Sequence, residues 1–359
     1  MLVNKFAVMS DNKSKLKQKQ NIKEQFLHFK KESKFAEIAN LISYAFQNNS
    51  GNLGKEIFGY VPRIFREIVI SKNLSELDEQ DLFIGEPVIY KIYFPDSTTF
   101  CNIPFFYIFC HIKENSHKLD VYFQAAHPKS KLLDQEEYNI HSSEIGFEGL
   151  GYVFDGSDIS TICISDPGHF IPGLTTSFYL GTSEINFPEI ISQMIENIAR
   201  LAKIKLSYTF LFGSSAGSMG ALMSSTYLSE KANVMAVNSQ ITLENRNKLL
   251  ETLFKISDHQ KILELFGSRI SCHLRFREIT NLSNVPNIYI LANVNDGLYK
   301  RNYNFYDFYH RRFSRKGVNN QSVFDSYYGF EGHGRPNKVA LKSKIKIARE
   351  SLMMEHNDS

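Results

Sequence analysis

Apolar residues along this chain recur with two different periods, and the changes between them mark out the elements. Segments 88–94 and 104–112 are rich in Ile, Tyr, Phe and Val, with Tyr90, Ile92 and Phe94 alternating with their neighbours. This period of two predicts antiparallel strands opening a sheet. Residues 119–126 (LDVYFQAA) read as a strongly apolar strand ending in small residues and His127-Pro128, and 161–165 as a short buried strand closed by Asp166-Pro167-Gly168. Ile190, Ile191, Met194, Ile195 and Ile198 then draw a helical stripe over 187–202. Further strands are expected at 208–212, 234–237, 287–294 and 322–328, the run at 287–294 (NIYILANV) being buried by composition. Helices are expected over 35–46, over 61–70 with a connecting turn through 74–82, and within a polar insertion at about 243–280. A basic, aromatic surface helix at 307–316 (DFYHRRFSRK) and a closing helix at 336–353, with Pro336 near its start, complete the pattern. Strands alternating with helices predict an α/β fold, a mostly parallel sheet with helices on both faces. The boundaries read as a basic arm over 1–35, an N-terminal accessory region of helix and antiparallel strands over 36–118, and a core over 119–353.

The stretch that organises the core is 208–222, YTFLFGSSAGSMGAL. An apolar run meets a Gly/Ser cluster and continues into small residues, Met, Ala and Leu that suit a helix. Gly213-Ser214-Ser215-Ala216-Gly217 is thus a G-x-S-x-G pattern in a strand, sharp turn, helix context. A nucleophile at such a turn is forced into strained backbone geometry, and glycines two residues before and after it let the chain pass without a Cβ clash. Ser215 would stand at a helix N-terminus, where the Ala216 N–H can donate to a developing oxyanion. The plainer reading is that Ser214 or Ser215 merely caps the following helix.

Reactive groups in such sheets gather at the carboxyl ends of strands. Asp296 (in Asn295-Asp296-Gly297) and His333 (in Gly332-His333-Gly334) each follow an apolar run, as Ser215 does. A serine hydroxyl needs a base, which His333 would supply, and Asp296 would fix the imidazole tautomer. Singly, either could be an ordinary turn residue. Asp307 and Asp325 are the alternative acids, less well placed because one opens the expected helix and the other lies inside a strand. A second oxyanion donor is expected from the backbone near Ala125, Ala126 or His127. His169 either lines the site or simply occupies its turn. No His, Asp or Glu cluster has metal spacing, so no metal is expected.

Composition narrows the classes. The chain has 359 residues, 43% hydrophobic and 22% charged, as in an ordinary folded protein. A net charge of +3 does not by itself argue for nucleic-acid binding. Cys101, Cys110, Cys163 and Cys272 are scattered, without zinc or redox spacing, and read as reduced thiols. No run approaches the ~18 to 20 apolar residues of a membrane span, and a cytoplasmic location is the expectation. The Lys-rich arm reads as a solvated face or as a tail touching a membrane or an assembly partner. Lys300, Arg301, Arg311, Arg312, Arg315 and Lys316 form a second basic cluster, either a solvated face or a seat for an anionic donor or acidic glycan.

Residues 119–353 resemble the α/β-hydrolase superfamily, in which nucleophile, acid and histidine follow in the order seen here. Within it, the chain is similar to carbohydrate O-acetyltransferases of bacterial capsule synthesis and to the hydrolase-like accessory proteins of bacterial glycoprotein secretion. The residues that carry this are Gly213-Ser214-Ser215 with Met219-Gly220-Ala221-Leu222, Val237-Asn238-Ser239-Gln240, and Gly332-His333. Ser239 stands where Pro is common, and the N-terminal region is long. The resemblance implies acyl transfer through an acyl-enzyme, with acetyl-CoA as donor, a saccharide or other alcohol as acceptor, and no bound cofactor. Ser214, Gln240, Arg301 and Arg311 are the candidate contacts to substrate or donor. An esterase or deacetylase with the same Ser215, Asp296 and His333 is the alternative, and a non-catalytic binding module on the same fold the second.

Overall fold

The computed structural model describes residues 65–126, 157–171, 173–314, 320–330 and 332–353, with the single positions 24, 25, 28 and 147. Within the arm, Glu24, Gln25 and His28 are helical and exposed. The rest of the arm, the helix expected at 35–46, His127, Arg315 and Lys316 lie outside the described residues.

Nine described strands join in one sheet: β1 (Arg66–Ile70), β2 (Val88–Tyr93), β3 (Phe105–His111), β4 (Leu119–Phe123), β5 (Ser160–Ile164), β6 (Thr209–Ser214), β7 (Asn233–Val237), β8 (Asn287–Asn293) and β9 (Ser322–Tyr327). Their order is β1-β2-β3-β5-β4-β6-β7-β8-β9. Only β3 runs against its neighbours, β2 and β5; every other adjacent pair is parallel. Chain order and sheet order part company around β4, which has β5 on one side and β6 on the other. This is the α/β-hydrolase arrangement, with β1 added at the edge.

One expectation fails at that edge. Residues 61–70 were expected to be helical, but 66–70 form β1, paired in parallel with β2 from Arg66↔Val88 to Ile70↔Ile92. The run Ile68-Val69-Ile70 is β-branched and stiff at χ1, and an unpaired sheet edge offers it a ladder. The segment that follows holds only the one-turn helix Leu74–Glu76.

The helices are α1 (Phe187–Leu201), α2 (Ala216–Ser225), α3 (Asn247–Phe254), α4 (His259–Ile270), α5 (Cys272–Glu278), α6 (Tyr299–Tyr309) and α7 (Lys338–Leu352). Successive strand residues face opposite ways, and the contacts separate the two layers. Asp120 on β4 pairs with Arg349 of α7, whose guanidinium also covers the Phe210 ring of β6. Phe123 and Gly220 meet on the other face, where Tyr179 stacks on Phe187 at the start of α1. Phe324 of β9 receives Tyr299 and Tyr306 of α6 on that same face. Helices α3 to α5 occupy the expected insertion. They are tied to the core by Phe276 against Phe305 and Tyr309 of α6, and by Arg269, which donates to Leu180 O and Thr182 O at 3.0 and 2.7 Å.

The helix expected at 307–316 starts earlier. Tyr299 N–H donates to Asp296 O and Leu298 N–H to Asp296 Oδ1, so the turn after β8 leads straight into α6. The helix ends as a π-turn, His310–Ser314. Asp307 therefore lies inside α6 and does not open a helix.

Candidate active site

At the carboxyl edge of the sheet, β6 ends at Ser214 and α2 begins at Ala216. Between them Ser215 takes φ 53° and ψ −115°. For a residue with a Cβ such backbone costs on the order of 1–3 kcal/mol, and it persists only where its surroundings hold it. Here Ser215 N–H donates to Val237 O on β7 at 2.8 Å, while Ser218 donates to Ser215 O through its N–H at 3.3 Å and its hydroxyl at 2.5 Å. The close approach also explains the flanking glycines. A Cβ on Gly213 would stand 2.2 Å from Gly217 O, and one on Gly217 would stand 2.4 Å from Phe123 O.

The strands β8 and β9 deliver the other two side chains. Asp296 follows β8 with its side chain only 4% exposed. Its Oδ1 accepts from Leu298 N–H at 3.0 Å and its Oδ2 lies 2.7 Å from His333 Nδ1. His333 follows β9, and its Nε2 lies 2.7 Å from Ser215 Oγ. An ionised carboxylate only accepts, so this geometry assigns the imidazole proton to Nδ1 and leaves Nε2 to accept from the serine hydroxyl. Such a relay can withdraw a proton from Oγ and hold the resulting imidazolium.

The other expected residues distribute less tightly. Ala216 is the first residue of α2, so its N–H has no carbonyl of its own helix to bond. The loop after β4 crosses the first turn of α2, as the approach of Phe123 O and Gln124 O to Gly217 shows. Ala125 is half-buried and Ala126 exposed just beyond it. Ser214 is buried at the end of β6, Gln240 is half-buried past β7, and Arg301 is exposed in the first turn of α6. Arg311 is exposed and paired with Asp307 on its own helix at 2.8 Å. None of the hydrogen bonds described above joins these four to Ser215, Asp296 or His333.

Two residues past the end of β5 stands a fully buried Asp166. Its carboxylate accepts from the N–H groups of Gly168 and Ser177, each at 2.8 Å, and from the hydroxyls of Thr176 and Ser177. These bonds draw Gly168, Thr176 and Ser177 together around the carboxylate. His169 is buried in its one-turn helix, Pro167–Phe170, and burial pushes its imidazole below the usual value. Among the described residues no group of three or more His, Cys, Asp or Glu is gathered to hold a metal.

In the sequence Asn238 stands out only as part of the Asn238-Ser239-Gln240 similarity and Asn295 only as a neighbour of Asp296, while Asn293 and Tyr327 are not marked at all, although all four bond in or around the His333 loop. The available signal was an Asn at or just past each of two adjacent strand ends.

No protein-family model matches the chain, and no curated protein sequence matches it. Solved structures do. The capsule O-acetyltransferase of Neisseria meningitidis serogroup A is 16% identical, covers 68% of this chain and 91% of its own, and superposes with a TM-score of 0.51. A variant of that enzyme in complex with CoA gives 0.50 at the same identity and coverage. The Gap123 glycosylation-associated complex from Streptococcus agalactiae is 14% identical over 75% of this chain and 47% of that one, with a TM-score of 0.48. At 16% identity the likeness to the Neisseria enzyme establishes the fold alone.

Proposed function

We propose that this protein is a serine acyltransferase working through an acyl-enzyme on Ser215. The observation that carries the reading is the relay from Ser215 Oγ through His333 to Asp296, both gaps 2.7 Å, built on a strained strand-to-helix turn. In the first half-reaction His333 Nε2 takes the Ser215 proton while Oγ attacks the acyl carbon of the donor, and the carbonyl electron pair moves onto oxygen. The N–H of Ala216, with a second from the loop near Ala125 and Ala126, faces that oxyanion. Collapse expels the leaving group, which takes the proton from the imidazolium and leaves an ester on Ser215. In the second half-reaction an acceptor hydroxyl gives its proton to His333 and attacks this ester, returning Ser215 and releasing the acylated acceptor. Asp296 holds the ring and stabilises its charged form throughout.

For the donor we infer acetyl-CoA and for the acceptor a saccharide hydroxyl. The Neisseria enzyme's capsule O-acetyltransferase activity and its solved complex with CoA support this choice, alongside the similarity carried by the elbow and by Asn238-Ser239-Gln240. Arg301, exposed in the first turn of α6, is available to an anionic donor or acidic glycan. One observation favours hydrolysis as the second reading. The His333 side chain is 43% exposed, and an imidazole open to solvent can activate water as readily as an alcohol.

The deciding experiment is intact-mass spectrometry of the protein incubated with acetyl-CoA, with and without a saccharide mixture, beside turnover of p-nitrophenyl acetate. An acetyl adduct that vanishes in Ser215→Ala and is discharged faster by saccharide than by water is the expected outcome. Ester turnover with no adduct from acetyl-CoA would transfer the assignment to an esterase. Absence of both, with no labelling of Ser215 by a fluorophosphonate, would leave a binding module.

A further inference from the structure

His333 lies between Gly332 and Gly334 in an irregular segment joining β9 to α7, with its ring 43% exposed. Packing does not fix such a residue, and a glycine-flanked backbone has the most freedom to lose on ordering. Two asparagines supply the restraint. Asn293, the last residue of β8, donates from Nδ2 to Gly332 O at 2.9 Å and accepts at Oδ1 from Gly329 N–H at 3.0 Å. Asn238, just past β7, donates from Nδ2 to Gly334 O at 3.1 Å and to the Tyr327 hydroxyl at 2.7 Å. The Tyr327 hydroxyl donates to the same Gly334 carbonyl. Burial, reinforced by the nearby Asp296 carboxylate, pushes that phenol above its ordinary value and keeps it a neutral donor.

The carbonyls on either side of His333 are thus each held by a different side-chain amide. The two residues are also joined to one another, because the backbone N–H of Asn293 donates to the Asn238 side chain at Oδ1, 2.8 Å away. Asn238 N–H donates to Leu291 O at 2.9 Å, anchoring the pair to β8. Both side chains are buried, and Asn238 holds φ at +46°. We propose that Asn238 and Asn293 are positioning residues, a paired amide clamp that sets His333 at bonding distance from Ser215 and Asp296 at once. Its kinetic consequence rests on the acyl-transfer reading; its geometry does not. The role needs an amide. A carboxylate at position 238 would set an oxygen against Gly334 O, and an aliphatic group would leave buried polar atoms without partners.

The test uses Asn238→Asp and Asn293→Asp in the full chain, each near-isosteric with the native residue. Toward p-nitrophenyl acetate we expect kcat to fall about 10- to 100-fold, the scale of an ångström of misplacement, with KM within about twofold. In a His333→Ala background the same substitutions should cause no further loss, because nothing is left to position. The downfield proton resonance of His333 Nδ1–H, identified by its absence in His333→Ala, should broaden or shift in both variants. An equal fold-loss with and without His333, or an unchanged resonance, would overturn the clamp. Should Ser215→Ala leave turnover untouched, the acyl-transfer reading fails, while the resonance still decides the clamp.

Discussion

Asp325 lies in β9 and Asp296 just past the end of the neighbouring β8, yet their oxygens face different partners. Asp296 divides its lone pairs between Leu298 N–H and His333 Nδ1. Asp325 points to the α7 face, where it meets Lys344 Nζ at 2.5 Å, the Tyr289 hydroxyl and Ser326 N–H. Burial alone would raise the Asp325 carboxyl, but Lys344, Tyr289 and Ser326 together hold it below its ordinary value. The two substitutions should therefore separate. Asp296→Asn is expected to lower kcat by about 10⁴-fold with the fold intact, since the amide favours the wrong imidazole tautomer. Asp325→Asn should leave activity within about twofold and cost no more than about 1 kcal/mol, the pair being partly solvated. A depressed carboxyl stabilises the fold above its unfolded pKa of ~3.9 and loses that contribution as pH falls through the folded value. Urea titrations should accordingly show the gap between Asp325→Asn and wild type at pH 7 closing on acidification below about 4. Comparable activity losses in the two variants would contradict the separation. At this scale the meeting of Ser215, Asp296 and His333 was legible because each follows an apolar run. Asn238 and Asn293 were not, because an Asn at a strand end looks the same whether it makes a turn or clamps a loop met only in three dimensions.

Among the elements, those read correctly have an unambiguous period, such as the stripe of α1 or the buried run of β8. The miss at β1 has a physical reason. In VPRIFREIVI, Ile64, Phe65, Ile68 and Val69 fit a helical face as well as a strand, and the choice is made by β2, which no local pattern reports. The start of α6 was missed similarly, because Asp296 both ends its turn and accepts from the N–H groups of Leu298 and Tyr299. The serine turn is the opposite case, where local sequence and tertiary fit agree. Its glycines are spatial necessities, and Gly217→Ala tests this. The new Cβ would meet backbone, Phe123 O at 2.4 Å, which no rotamer change relieves. We expect a loss of about 1–3 kcal/mol in urea denaturation, and slower fluorophosphonate labelling of Ser215 as the loop after β4 is displaced. Gly297→Ala, with nothing within 4 Å of its Cβ, should stay within about 0.5 kcal/mol of wild type. Equal stability of both variants would refute the close-approach argument.

For the molecule as a whole, the strand order decides what can be separated. Reading the chain as an accessory region to residue 118 and a core beyond it puts the cut between β3 and β4. In the sheet, however, β3 lies against β5, with Ile108↔Ile164 and Cys110↔Ile162 in register. Removing residues 1–118 would strip β5 of one neighbour and leave its edge unpaired. It would also remove Phe106, which packs edge-on against Phe187 at the start of α1, and Tyr107, whose carbonyl accepts from the Ser165 hydroxyl at 2.8 Å. Ser165 leads into Asp166, whose carboxylate holds Gly168, Thr176 and Ser177, and Tyr179 just beyond donates to Gln124 O at 3.2 Å in the loop that crosses the serine helix, which gives the damage a path to the site. We therefore expect the described strands to unfold as one unit, giving coincident urea transitions by far-ultraviolet circular dichroism and by tyrosine fluorescence. A fragment of residues 119–359 should be aggregation-prone and should fail to react with a fluorophosphonate at Ser215. A soluble fragment that labels at the wild-type rate would mean that β1 to β3 are an appendage, and that β4 to β9 alone hold the serine, the acid and the histidine in register.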